Sequence, residues 1–138
     1  MLMKYSFIIL ILVSSFMNFS CSETRRYTNS SYEDEENKIV FSETKYDFGN
    51  LDINNEIYSH TFEFNNMSTH PVLILQASSA CQCTTIDYNI MPIKTGETGT
   101  IKVMFNPKKS GKGYFNKQVK VRINSTEIYT LNITGRVL

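Results

Sequence analysis

Residues 56–66 read EIYSHTFEFNN, and their alternation decides the fold. Tyr58, His60, Phe62 and Phe64 fall on one side of an extended chain, while Ser59, Thr61, Glu63 and Asn65 fall on the other. Successive side chains of a strand point to opposite faces, so this two-residue period marks a strand with one buried face. The pattern continues towards the C-terminus. In residues 100–107, TIKVMFNP, Ile101, Val103 and Phe105 alternate with Lys102 and Met104. In residues 114–124, YFNKQVKVRIN, Phe115, Val119, Val121 and Ile123 alternate with Gln118, Lys120 and Arg122. The closing run IYTLNITGRV sets Tyr129, Leu131, Ile133 and Val137 against Thr130, Asn132 and Thr134.

One run departs from the alternation. PVLILQ, residues 71–76, is apolar from Val72 to Leu75, which predicts a central strand covered on both faces. Turn residues break the pattern at Asn54 and Asn55 and within residues 66–71, 94–99, 106–113 and 124–127. No stretch has the period of an amphipathic helix. The expectation is therefore all-β: an immunoglobulin-like antiparallel β-sandwich of about seven strands over residues 38–138, with a closed barrel as the alternative. The chain has no Trp, and its domain cysteines are neighbours, so the buried Cys, Trp, Cys core of antibody-type domains is excluded.

The N-terminal residues MLMKYSFIILILVSSFMNFS place Lys4 before an apolar run at residues 7–13, followed by small and polar residues. That order predicts a signal peptide over residues 1–20. Counted from Tyr5 to Phe19 the run falls short of the ~20 residues of a spanning helix. Cys21 follows the small Ser20 where a bacterial lipoprotein signal places its lipidated cysteine, although Asn18 stands where that motif usually has Leu. The expectation is lipidation at Cys21 and an exported protein of the periplasm or cell envelope, anchored to the membrane without spanning it. Residues 22–37, SETRRYTNSSYEDEEN, have no aliphatic side chain and predict, with Cys21, a flexible tether over residues 21–37. The acidic run at residues 33–36 reads as part of a solvated spacer.

The order FSETKYDFGNL, HTFEFNN, PVLILQASSACQCTT, GETGTIKVMFNP, GYFNKQVKVRIN and LNITGRV resembles the bacterial family known as domain of unknown function 1573. The resemblance covers residues 39–138. Its most specific marks are Tyr46, Asp47, Phe48 and Gly49, and the Cys-x-Cys-Thr of Cys81, Cys83 and Thr84. Gln82 replaces the Gly usual between the cysteines, and Thr95 replaces a usual Pro. The resemblance implies an immunoglobulin-like fold and an exported or lipoprotein location more than an activity.

The remaining chemistry lies in SSACQCTTI, residues 78–86. Residues two apart on a flat strand are ~6.6 Å apart, too far for the β-carbons of a disulfide. Pairing would need a bend, to which Gly is better suited than Gln82. Cys81 and Cys83 must pair, bind something or stay buried. A soft two-thiolate site suits Cu(I), and His70 and His60 are the weak candidate ligands that could extend it. The expectation is two free, slowly reacting thiols on the face shared by Leu73, Leu75, Ala77 and Ser79, provided no bulge intervenes.

No nucleophile elbow, phosphate loop or paired carboxylates support an enzyme, and no cofactor is expected. A net charge of +1 gives no case for nucleic acid. Two functions fit these features. One is a non-catalytic, lipid-anchored binding or scaffolding module that engages a protein partner in the cell envelope through a sheet edge or loops. The other is a periplasmic metal-handling or thiol-redox protein working through Cys81 and Cys83.

Overall fold

A computed structural model describes residues 38–124 and 127–138. The expected signal peptide, tether and lipidated Cys21 lie outside them. Eight strands form two four-stranded sheets. The strands are β1 (Ile39–Phe41), β2 (Lys45–Leu51), β3 (Tyr58–Asn66), β4 (Ile74–Ser79), β5 (Thr84–Tyr88), β6 (Thr98–Phe105), β7 (Gly113–Ile123) and β8 (Glu127–Val137). A single-turn helix α1 (Pro107–Ser110) joins β6 to β7, with the Asn106 side chain accepting a hydrogen bond from the Lys109 N–H at its start. One sheet has the order β1-β3-β6-β5 and the other β2-β8-β7-β4.

The alternation read from the sequence is the burial pattern of the sandwich. Phe62, Phe64, Ile101, Val103, Phe105, Val119, Val121, Leu131 and Ile133 are fully buried. The sheets interlock through aromatic rings: Phe48 on β2 lies 6.4 Å from Phe105 on β6, which stacks at 4.0 Å on Phe115 of β7. These contacts supply the apolar burial and ring geometry that an antibody-type domain obtains from Trp. At the other end, Asn66 is a buried polar hub. Its amide donates to the carbonyls of His70 and Ile93 at 3.0 and 2.9 Å, and its Oδ1 accepts from the Ser68 N–H. Asn66 therefore ties two loops into the core with its polar groups satisfied, as burial demands.

The expected immunoglobulin-like sandwich is the fold found, with two refinements and one correction. The strand count is eight, because the short β1 and β5 carry too few residues to declare a period. The sandwich is not wholly antiparallel, since β2 pairs with β8 in parallel. And PVLILQ is not a central strand: β4 is the outermost strand of its sheet, and Leu75 is 47% exposed. With Val72 and Ile74 buried, alternation turns Leu75 outward, and a register shift between Ile74 and Gln76 leaves Gln76 exposed beside it, the mark of a bulge.

Each open side of the sandwich is closed by a chain that changes sheet partway. On one side β1 pairs with β3 over residues 64–66, then β2 crosses to pair with β8. On the other side β4 pairs with β7 from Val119 to Ile123, then β5 crosses to pair with β6 from Ile101 to Phe105. Neither lateral strand covers the full length of its neighbour.

Close packing of the Phe64 ring over Gly99, its partner on the neighbouring strand, gives a direct test. A Cβ at Gly99 would lie 2.7 Å from Ile93 Cδ1 and closer still to the buried Phe64 ring. Gly99→Ala is expected to destabilise the domain by about 1–3 kcal/mol through overpacking, read as a lower denaturation midpoint at unchanged m-value.

Candidate functional site

The second crossing, from β4 to β5, is where the two cysteines lie. After Ser79 the chain leaves β7, and a turn over residues 81–84 is closed by the Thr84 N–H donating to the Cys81 carbonyl at 3.1 Å. The Asn106 N–H donates to the Cys83 carbonyl at 2.8 Å, fixing the turn to the end of β6. Cys81 and Cys83 are joined as a disulfide, with Cα atoms 5.1 Å apart. That separation lies inside the usual range for the bond.

The expectation of two free thiols is thus overturned, for a physical reason. It rested on an extended strand and on Gln82 resisting a bend. The strand ends at Ser79, and the bend that follows, closed between Cys81 and Thr84, does not require glycine. Among the described residues Asn124 alone of the non-glycines has positive φ, so Gln82 and Cys83 occupy the turn in conformations open to any L-residue. The departure from Gly therefore leaves the turn intact.

The two sulfurs have different surroundings. Cys83 is 2% exposed and belongs to the core, with its Sγ 3.7 Å from the Thr84 hydroxyl. Cys81 is half-buried, and its Sγ accepts the Cys83 N–H at 3.2 Å. Cys81 lines an open depression of about 460 Å³ together with Ser79, Ala80, Asn116, Lys117 and Gln118. One wall of this depression is β7. That strand pairs with β8 along residues 113–123 but with β4 only from Val119 onward, so, among the described residues, 113–118 have no strand neighbour on the disulfide's side.

The candidate histidines lie elsewhere. His60 on β3 stacks on Tyr46 at 3.5 Å, meets Phe62 edge-on at 4.8 Å, and pairs through Nε2 with Glu43 at 2.8 Å. His70 lies in the loop organised by Asn66, with Nδ1 3.5 Å from the Thr69 hydroxyl. Among the described residues no group of three or more His, Cys, Asp or Glu side chains is placed to hold a metal ion. Sequence reasoning missed Asn116, Lys117 and Gln118 as neighbours of the cysteines. The available signal was a mismatch in length: the run containing β7 is far longer than the apolar run of β4, so part of β7 had to be left uncovered.

The sequence profile of the family described as "Protein of unknown function (DUF1573)" matches residues 39–137. No curated protein matches the chain. Among solved structures, a protein of unknown function from Porphyromonas gingivalis is similar with a TM-score of 0.62 at 16% identity, over 74% of this chain and 48% of that one. The chain thus spans about half of that protein's length. The ASH / PapD-like domain 7 of human CEP192 is similar with a TM-score of 0.63 at 12% identity, over 75% of this chain and 87% of that one. The periplasmic chaperone SfaE gives 0.53 at 7% identity, over 72% of this chain and 58% of that one. At these identities the likeness is one of fold.

A ring closed by residues two apart constrains the unfolded chain little. On the chain-entropy relation a three-residue loop is worth roughly 1.6 kcal/mol, about half of what a 15-residue loop gives. Cys81→Ala with Cys83→Ala is therefore expected to leave cooperative folding intact at a cost of about 2–3 kcal/mol, including truncation of the buried Cys83 side chain. Urea titration measures it; a loss of the fold would show the disulfide to be a structural staple.

Proposed function

The chain belongs to the family described as "Protein of unknown function (DUF1573)", and on that footing we propose that it is a non-catalytic binding module, exported and lipid-anchored through Cys21, that holds an extended segment of a protein partner in the cell envelope. The observation that carries this reading is the uncovered half of β7. A strand with one side unpaired presents backbone donors and acceptors in a fixed row, and an extended peptide satisfies them by adding itself as a further strand. The depression beside Cys81 gives such a segment room for a side chain, and Lys117 gives it a positive neighbour.

The similar structures support a module of this kind at the level of fold, with a PapD-like domain and a periplasmic chaperone among them. The anchor rests on the sequence preceding the described residues: the apolar run followed by Ser20 and Cys21. A tether without aliphatic side chains would let the sandwich reach out from the membrane surface.

Two outcomes test this. Cys21→Ala should move the protein from the membrane fraction to the soluble exported fraction; unchanged membrane association contradicts the anchor. Ala80→Trp, which fills the depression without touching the β7–β8 ladder, should lower co-purification of a partner from membranes at least tenfold. Thr130→Trp, on the exposed face of β8, should leave it unchanged. Equal recovery with both variants contradicts binding at the β7 edge.

A further inference from the structure

We propose that the Cys81–Cys83 disulfide is an exchange site for protein thiols, with Cys81 the sulfur attacked and Cys83 the sulfur that leaves. The two sulfurs of the pair differ in access. Cys83 lies in the core at 2% exposure, so an incoming thiolate has no path to it, whereas Cys81 opens onto a depression wide enough for a cysteine side chain. Thiol–disulfide exchange requires access to the attacked sulfur, and only one of the two meets that condition.

The groups around the pair suit each stage. A thiolate of the partner attacks Cys81 Sγ, the bond between Cys81 and Cys83 breaks, and Cys83 leaves as a thiolate that takes up a proton. The Thr84 hydroxyl, 3.7 Å from Cys83 Sγ, is placed to donate to that leaving sulfur. A second thiol of the partner then attacks the mixed disulfide at the partner's own sulfur and releases Cys81 as a thiolate. The Cys83 N–H, already 3.2 Å from Cys81 Sγ, stabilises that charge, and Lys117, a residue lining the same depression, supplies a positive charge to its neighbourhood. The partner's dithiol is oxidised to a disulfide, the two cysteines are reduced, and two protons pass from the partner's thiols to theirs. The reverse sequence, with a partner disulfide as oxidant, restores the bond.

The small ring also limits the disulfide's structural contribution, so opening it does not unfold the sandwich. Cys83 stays beside Cys81 after the attack and competes with the second thiol, which keeps the mixed disulfide short-lived in the native pair. Neither step depends on strand addition at β7, so this inference and the binding reading stand or fall separately.

The test uses the full chain without denaturant and neutral thiols as probes. With 2-mercaptoethanol, the native disulfide should be reduced within tenfold of its rate in the unfolded chain, read by alkylation and peptide mapping. With 2-hydroxyethyl disulfide, the Cys83→Ser variant should form a stable mixed disulfide on Cys81 at least tenfold faster than Cys81→Ser forms one on Cys83. In the Cys83→Ser background, Lys117→Gln should slow that reaction several-fold and Lys117→Arg should restore it. Reduction that occurs only on unfolding, or equal reactivity of the two single cysteines, overturns the proposal. No effect of Lys117→Gln removes the lysine from it.

Discussion

A sandwich of two sheets is constrained at its open sides, where the chain must pass from one sheet to the other without leaving buried backbone groups unpaired. The passage through Ala80 and the turn 81–84 is the constraint on which the features of interest depend. It ends β4 early, begins β5 against β6, places Cys83 in the core, and leaves residues 113–118 of β7, among the described residues, with a strand neighbour on the β8 side alone. The turn is held by its own closing hydrogen bond and by Asn106, so its position does not rest on the disulfide alone. The proposed exchange chemistry and the proposed binding use this bond and the gap beside it.

The core beside this passage and the polar hub at the far end explain why such an arrangement is tolerated. Phe48, Phe105 and Phe115 join the two sheets near the crossing, and Asn66 fixes the loops at the far end. Both were visible as residue types but differed in how readable their roles were. The alternation around Phe62, Phe105 and Val119 declares which side of each strand is buried, because period and burial are the same fact in a one-sided sheet. Asn66 gave no such signal: a buried asparagine is indistinguishable from a turn asparagine until the carbonyls of His70 and Ile93 are seen to converge on it.

The cysteines show where sequence reading failed. Periodicity assumes an unbroken strand, and one bulge between Ile74 and Gln76 separated Leu75, which faces solvent, from the partly buried Ala77 and Ser79 with which alternation had grouped it. Turn conformation is likewise hidden in a sequence when no glycine is required, so Gln82 wrongly argued against pairing. The apolar run PVLILQ misled for a related reason. Its composition reported the core contacts of Val72 and Ile74 but not that Leu75 faces solvent at a sheet edge. Edge and centre differ by what lies alongside, which is a property of topology.

The reading of the protein as a module that receives a partner's strand turns on whether the uncovered half of β7 is where that partner lies. Amide hydrogen exchange of the full chain, alone and in its partner-bound state from membranes, measures this residue by residue. The account predicts slowed exchange concentrated at residues 113–118, bordered by residues 79–84 across the depression. Unchanged exchange there, with protection instead along β2 or in the loops around Asn66, would contradict it.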